Sequence, residues 1–188
     1  MRKDGRANDA LRQVTISPNY LEYADGSVLI ICGKTRVLCA ASIGATVPPW
    51  MQGRGTGWVT GEIVDCDVIQ ADGGTRTASV TGGLVALHLA LERLIGDGLV
   101  PEGVLGPPVA AVSVGLVDGE ALLDLCYEED SRAAVDFNVV MNARGEFIEV
   151  QGTAEGRPFS KGRLDELLDL AKRGIDQLII LQRQVMQR

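Results

Sequence analysis

Histidine and paired cysteines are nearly absent from this chain, and their scarcity excludes several kinds of site. The chain has one histidine, His88, and four cysteines, none of which forms a Cys-x-x-Cys pair. A structural zinc site needs four nitrogen or sulfur ligands, usually at such spacings, so we expect no zinc site. We interpret His88 as a surface or packed residue. The cysteines are predicted to be buried reduced thiols, namely Cys32, Cys39, Cys66 and Cys126.

Aromatic residues, long apolar runs and an excess of positive charge are also missing. Aromatic residues make up 4% of the chain, and no apolar run approaches the roughly 20 residues that span a bilayer. The charged N-terminus precedes no apolar stretch, which predicts no signal peptide and a cytoplasmic location. The net charge of −7 by itself argues against a nucleic-acid-binding protein, because such proteins usually carry a basic surface.

What the chain does contain is a pattern of strands in hairpins with two long helices. Turn-forming pairs at residues 33–34, 118–119 and 144–145 each separate two apolar runs, as in tight hairpins. Apolar residues spaced by three and four predict helices over about Ser79–Ile95 and Gly162–Met186, the second capped by Ser160. We therefore predict one α+β domain over residues 1–188, with a hairpin-rich mixed sheet and two long helices.

A glycine-rich turn precedes the first predicted helix, in the run Gly73-Gly74-Thr75-Arg76-Thr77-Ala78-Ser79. Backbone N–H groups and the dipole at a helix N-terminus favour an anion, and hydroxyl and guanidinium groups add hydrogen-bond donors. Thr77 or Ser79 can cap the helix. The turn therefore suits phosphate, although an ordinary strand–turn–helix connection would show the same pattern.

Two aspartates flank the beginning of an apolar strand, Asp130 at the end of an acidic loop and Asp136 in the strand itself. Neighbouring carboxylates can hold a magnesium ion, or one of them can act as a general acid. A solvated acidic loop with a turn-forming aspartate has the same pattern. From the residues alone, both interpretations stay open.

Taken together and in order, several segments resemble the ribonuclease PH family, and the resemblance extends over nearly the whole chain. One of them, the charged N-terminus, is by itself typical of a solvated tail. The matching segments are Arg2-Lys3-Asp4-Gly5-Arg6, Gly57-Trp58-Val59-Thr60, residues 65–79, residues 110–115, Asp118-Gly119-Glu120-Ala121, Glu129-Asp130-Ser131 and residues 149–156.

The resemblance implies the fold of the second domain of ribosomal protein S5 and a phosphorolytic 3′ exoribonuclease. In that family, inorganic phosphate attacks the terminal phosphodiester, and a nucleoside diphosphate leaves. The typical substrate is the 3′ trailer of precursor tRNA, and the usual assembly is a hexameric ring built as a trimer of dimers. By position, Gly74, Thr75 and Arg76 match the phosphate-binding turn, and Asp130 and Asp136 match two catalytic aspartates, which would hold a metal ion such as Mg²⁺ or protonate the leaving oxygen.

The chain departs from the family between about Thr60 and Asp65. A typical member carries there an arginine-rich stretch, a Gly-Arg-Thr motif and a long helix, all absent here. The loss removes basic residues that contact RNA, which explains part of the negative charge, and it is expected to expose apolar surface. Three explanations stay open: a natural deletion, an engineered deletion, or a longer chain whose middle is not recorded. The departure favours a rival role as a non-catalytic, RNA-binding ring subunit. Retention of the glycine turn and both aspartates favours the enzyme.

Overall fold

Hairpins build the first of two antiparallel sheets, in agreement with the predicted α+β class. The computed structural model describes residues 2–44, 46, 48–54 and 64–187. The first sheet has the strand order β1-β2-β3-β4, with β1 (Val14–Pro18), β2 (Gly26–Cys32), β3 (Thr35–Ala41) and β4 (Val64–Gln70). The predicted turn at residues 33–34 joins β2 to β3, and Cys32 pairs with Thr35 beside it.

The second sheet has the strand order β6-β5-β7-β8. Its strands are β5 (Val109–Val117), β6 (Glu120–Leu123), β7 (Val135–Asn142) and β8 (Phe147–Ala154). The predicted turns at residues 118–119 and 144–145 join β5 to β6 and β7 to β8. Every pairing among the described strands is antiparallel, so two antiparallel sheets stand where we expected one mixed sheet. The reason is that the long helix after β4 leads into the other sheet and not back to its own.

Two long helices, α1 (Thr75–Gly96) and α3 (Lys161–Met186), supply one side of each hydrophobic core. The first sheet and α1 bury a cluster that includes Val28, Ile30, Val37 and Val85. The second sheet and α3 bury a larger cluster that includes Val114, Phe137, Val139, Leu167 and Ile175. Ser160 caps α3 as predicted, accepting a hydrogen bond of 3.3 Å from the Arg163 N–H. A short helix, α2 (Tyr127–Asp130), and a 3-10 helix, Pro49–Met51, complete the described elements.

Helix α1 is more apolar than we expected, since we expected no apolar run near the length of a membrane span. By length and composition alone, this helix is long enough and apolar enough to cross a membrane. Both sheets contact it, however, since it packs on β2 and β3 and also touches β5. The Thr81 hydroxyl bonds the free edge of β5, where it accepts a hydrogen bond of 3.2 Å from the Ala111 N–H. A helix covered on more than one side needs apolar residues around most of its circumference, which accounts for the composition of α1.

Two other expectations concern His88 and the segment around residues 57–65. His88 is half-buried on α1, with its Nε2 atom 3.8 Å from a carboxylate oxygen of Glu92, as expected for a packed histidine. The motif at residues 57–60 and most of the junction between Thr60 and Asp65 lie outside the described residues.

Candidate active site

The turn at Gly73 and Gly74 lies where the first sheet ends and α1 begins. Both glycines have positive φ angles, 75° and 66°, in the region that glycine adopts without steric cost. A Cβ atom on Gly73 would lie 2.6 Å from the carbonyl oxygen of Leu125, so the turn packs directly on the segment that leads to α2. The buried Thr35 hydroxyl fixes the turn, donating to the Gly73 carbonyl at 2.7 Å and accepting from the Asp72 N–H at 2.9 Å.

The beginning of α1 has no side-chain cap. The helix starts at Thr75, four residues before the predicted start, and Gly74 is its N-cap residue. The predicted caps, Thr77 and Ser79, instead donate their hydroxyls to the carbonyls of Gly74 and Thr75, each at 2.9 Å. That prediction was wrong because both residues lie inside the helix, where a hydroxyl bonds back to the preceding turn. The first-turn N–H groups are therefore not engaged by a cap, as an anion site requires.

Arg76 connects the beginning of α1 to the second sheet. Its guanidinium group is half exposed and forms an ion pair of 2.6 Å with Glu149 and a hydrogen bond with Gln151, both on β8. Glu149 and Gln151 are two residues apart in a strand, so they point to the same face of the sheet. The guanidinium group is thus held over that face while remaining accessible to solvent.

Asp136 lies on the same face of the second sheet as the two partners of Arg76. In the antiparallel register, Asp136 is opposite Thr153, and Asn138 is opposite Gln151. Directly opposite residues share a face, and two residues along a strand span roughly 7 Å. The structure therefore brings Arg76 and Asp136 together at neighbouring positions of one sheet surface.

Asp130 and Asp136 form a pair of carboxyl groups whose pKa values are both raised. Burial raises the pKa of Asp136 most, and the negative charges of Asp130 and Glu155 raise it further. Burial also raises the pKa of Asp130, which ends α2. The Oδ1 atom of Asp136 is buried and has no hydrogen-bond partner among the described residues. Two carboxyl groups in this state suit either a proton or a cation.

These two carboxylates also fit a magnesium ion, although not a site built from protein ligands alone. No group of three or more metal-binding side chains occurs among the described residues. Magnesium is commonly held by one or two carboxylates, with water and substrate phosphates as the remaining ligands. The unpartnered Oδ1 atom of Asp136 is the kind of donor that such an ion would use.

An ion pair that the sequence patterns did not predict holds the glycine turn in place. The guanidinium group of Arg12 donates to the Asp72 carbonyl at 2.5 Å and to the Gly73 carbonyl at 3.3 Å. The same group donates to both carboxylate oxygens of Asp124, at 3.0 and 2.7 Å, and the Arg12 N–H also bonds this carboxylate at 2.8 Å. Both side chains are buried. Arg12 therefore engages the carbonyls of residues 72–73 and fixes the turn against Asp124.

The N-terminal charges do not form a solvated tail, because Arg2 is buried against the loop that carries Asp130. Its guanidinium group makes two hydrogen bonds, 2.8 and 2.6 Å long, with the carboxylate of Glu129 and a third of 2.8 Å with the Leu123 carbonyl. Burial alone would raise the pKa of Glu129, but its hydrogen bonds with Arg2 and Cys126 hold that pKa below its ordinary value. No local sequence pattern could reveal this pair, since its partners are 127 residues apart.

A groove of about 900 Å³ lies beside this N-terminal segment, and it is distinct from the candidate site. Its lining mixes basic and acidic side chains, among them Lys3, Lys34, Arg132, Asp118 and Glu128. None of the five predicted site residues lines it. The groove is therefore not the site that the sequence predicted.

Comparison with known protein families matches two parts of the chain. Residues 10–63 match domain 1 of the 3′ exoribonuclease family, and residues 107–174 match domain 2. Ribonuclease PH of Syntrophomonas wolfei is 42% identical, with 98% of each chain covered. Ribonuclease PH of Moorella thermoacetica is 43% identical, with 99% of this chain and 94% of the relative covered.

Solved structures with the same fold are more distant in sequence. Rice Rrp46 superposes with a TM-score of 0.79 at 18% identity, with all of both chains covered. An archaeal exosome core gives a TM-score of 0.72 at 21% identity, over 97% of this chain and 91% of the other. At these identities, the likeness establishes the fold alone.

The alignments also show that the relatives are longer than this chain. The alignment with the Syntrophomonas wolfei protein extends over 235 positions, whereas this chain has 188 residues, so at least 47 positions have no residue here. The alignment leaves only 2% of each chain outside it, since 98% of each is covered. The unmatched positions are therefore largely internal, as the departure described from the sequence requires.

Proposed function

This chain belongs to the ribonuclease PH family of 3′ exoribonucleases, and we propose that it shortens RNA from the 3′ end with inorganic phosphate as the attacking group. Each reaction cycle releases one nucleoside diphosphate. The substrate that we propose is the 3′ trailer of precursor tRNA, the substrate typical of the family.

The observation that carries this proposal is the pairing of an anion site with two carboxyl groups of raised pKa. The uncapped N-terminus of α1 and the accessible guanidinium group of Arg76 supply donors for phosphate. Asp136 lies on the sheet surface over which Arg76 is held, and its pKa responds to the charge of Asp130. Donors for the attacking anion and a carboxyl group that can carry a proton are therefore supplied at the same face of the second sheet.

In the proposed reaction, a phosphate oxygen held at Gly74, Thr75 and Arg76 attacks the phosphorus of the terminal phosphodiester. The bond between that phosphorus and the 3′ oxygen of the penultimate nucleotide breaks. The leaving 3′ oxygen takes up a proton, which Asp130 or Asp136 can carry because both pKa values are raised. Arg76 and the N–H groups of the first turn stabilise the charge that develops on the phosphoryl oxygens.

As the alternative to this proton transfer, we propose that Asp130 and Asp136 hold Mg²⁺ when the enzyme binds its substrates. The ion would neutralise negative charge on the phosphates. It would also relieve the repulsion between two carboxylates, which the raised pKa of Asp136 reflects. The buried and unpartnered Oδ1 atom of Asp136 supports this assignment.

We propose that the chain assembles into a hexameric ring, arranged as a trimer of dimers. In support, β8 is at the edge of the second sheet and exposes three large apolar side chains, Phe147, Ile148 and Val150. The edge strand β4 of the first sheet likewise exposes Val68 and Ile69. Exposed edge strands with apolar side chains are usually covered by another chain or by an additional element.

The missing internal positions favour a second candidate, a ring subunit that binds RNA without cleaving it. We infer that these positions lie between Thr60 and Asp65, and that they normally supply basic residues. The exposed Val68 and Ile69, a few residues beyond this junction, support that location. A chain without this segment would hold RNA more weakly while keeping the reacting groups.

The test is release of nucleoside diphosphate from a short 3′-tailed RNA, with and without inorganic phosphate. Protein of verified 20.0 kDa mass is compared with an Asp136→Asn variant made in the same way. We expect diphosphate release only with phosphate present and only from the parent. RNA binding without release would instead support the non-catalytic subunit. Phosphate-independent release of monophosphates would contradict the phosphorolytic mechanism.

A further inference from the structure

Two cysteines outside the candidate active site face each other across neighbouring strands of the first sheet. Cys39 of β3 is directly opposite Cys66 of β4 in the antiparallel register, and the two Sγ atoms are 3.5 Å apart. Directly opposite residues of antiparallel strands have Cα atoms roughly 4.5–5.5 Å apart, which lies within the range that a disulfide bond spans. The pair can therefore be cross-linked with little movement of the backbone.

The helix next to these strands leaves room for the two sulfur atoms. Gly82 and Gly83 of α1 face the pair, and a Cβ atom on Gly82 would lie only 2.8 Å from the Cys39 Sγ atom. Both thiols also approach the Ser79 carbonyl, at 3.9 Å for Cys39 and 3.7 Å for Cys66. The thiols thus occupy a fixed position between β3, β4 and α1.

The two thiols differ in solvent accessibility and in acidity, and these differences decide which of them reacts first. Cys39 is fully buried, whereas Cys66 is half-buried. The hydrogen bond with Cys39 lowers the pKa of Cys66, and the same hydrogen bond together with burial raises the pKa of Cys39. Since the thiolate is the reactive form, Cys66 is the thiol that meets an oxidant first.

We propose that Cys39 and Cys66 form a site of reversible two-electron oxidation by peroxides. The Cys66 sulfur attacks a peroxide oxygen, the O–O bond breaks, and a sulfenic acid and water result when the oxidant is hydrogen peroxide. The Cys39 sulfur then attacks the sulfenic sulfur, a second water leaves, and a disulfide bond forms. Two thiols have lost two electrons and two protons, and one peroxide has been reduced to two molecules of water.

The test exposes the reduced chain to a small molar excess of hydrogen peroxide, then denatures it and alkylates the free thiols. Intact mass should show two alkylated cysteines out of four, and peptide mapping should find Cys39 linked to Cys66. Dithiothreitol should restore all four thiols. Four alkylated cysteines after peroxide, or a disulfide to Cys32 or Cys126, would overturn the proposal.

Two variants and one denatured sample sharpen the result. Cys39→Ala should abolish the disulfide and leave a sulfenic acid on Cys66 that dimedone traps. Cys126→Ala is the matched control, because Cys126 is half-buried like Cys66 but forms no thiol–thiol contact with another described residue. The disulfide yield of this variant should equal that of the parent. In urea the specific pairing should disappear, because the register of β3 and β4 is lost. The peptide map of the parent decides the question even if a variant folds poorly.

Discussion

The short segment from Asp124 to Asp136 carries two pairs of carboxylates that differ in whether they bind a buried arginine. Asp124 and Glu129 each bind a buried arginine, with several hydrogen bonds of 2.6–3.0 Å. Asp130 and Asp136 have raised pKa values, and an oxygen of Asp136 has no partner among the described residues. Burial is costly for Asp124, Glu129 and the half-buried Asp136, whereas Asp130 is largely exposed. Charges that are fully paired stabilise the fold, whereas those left unpaired retain the capacity to bind a proton, a metal ion or a substrate.

The largest effect on stability is expected from removing a carboxylate that is paired with a buried arginine. Asp124→Ala removes three hydrogen bonds and leaves the Arg12 guanidinium group buried without its carboxylate. Loss of one partner of a buried ion pair typically costs about 3–5 kcal/mol. Urea unfolding should show a decrease of that size in the free energy of unfolding.

The control for this experiment is Glu128→Ala, which removes the exposed ion pair with Lys3. Pairs of that kind contribute about 0–1 kcal/mol. A loss from Asp124→Ala no greater than the loss from Glu128→Ala would contradict the role that we assign to Arg12 and Asp124.

The second largest effect is expected at Asp136, which has no arginine partner. Asp136→Asn keeps the shape of the side chain but removes its proton chemistry, so turnover should fall by about 100-fold or more. The stability of this variant should instead rise relative to the parent. A raised carboxyl pKa means that the fold favours the protonated form, so the stability contributed by Asp136 is present at low pH and is lost as the pH rises through that pKa.

Because the amide does not ionise, the Asp136→Asn variant should gain stability relative to the parent as the pH is raised from about 4 to about 8. Thermal unfolding at several pH values measures the difference. Asp118→Asn, at an exposed turn, is the matched control and should change neither turnover nor the pH dependence. A constant stability difference across this range would mean that Asp136 does not titrate as described.

The smallest effect is expected at Arg76. Its guanidinium group is half exposed, so Arg76→Ala should change the free energy of unfolding by less than about 1 kcal/mol. The KM for inorganic phosphate should nevertheless rise by about 10-fold, the loss expected for one charge-assisted hydrogen bond. Arg163→Ala, which removes an exposed pair on α3, should leave this KM unchanged. Equal losses of phosphate use and stability would remove Arg76 from the phosphate site.

The parts of the fold that could be predicted depend on local chemistry. Turn residues located the three hairpins with two-residue turns among the described strands, and Ser160 located the beginning of α3, because each signal acts within a few residues. The beginning of α1 was placed four residues too late, because the left-handed Gly74 that starts it carries no side-chain signal. Division of the strands into two sheets depends on where the connection through α1 leads, and no periodicity records that.

The candidate site was predictable in its residue types but not in its supports. The glycine turn and the two aspartates could be named from the sequence, and their resemblance to a family separated the competing interpretations. The ion pairs of Arg2 with Glu129 and of Arg12 with Asp124 join residues 127 and 112 positions apart. Such contacts leave no trace in the spacing of neighbouring residues, so the structure was needed to find them.

The contact between Arg2 and Glu129 also imposes an order on the making of the protein. Closure of a loop this long is entropically costly, and contacts between distant residues form late in folding. A growing chain that has not yet reached Glu129 has no partner for Arg2 and lacks Asp130 and Asp136 altogether. Even a longer chain must bring its first residues back to this loop before the loop is fixed. The loop beside Asp130 therefore reaches its final form only after both ends of this contact have been synthesised and have met.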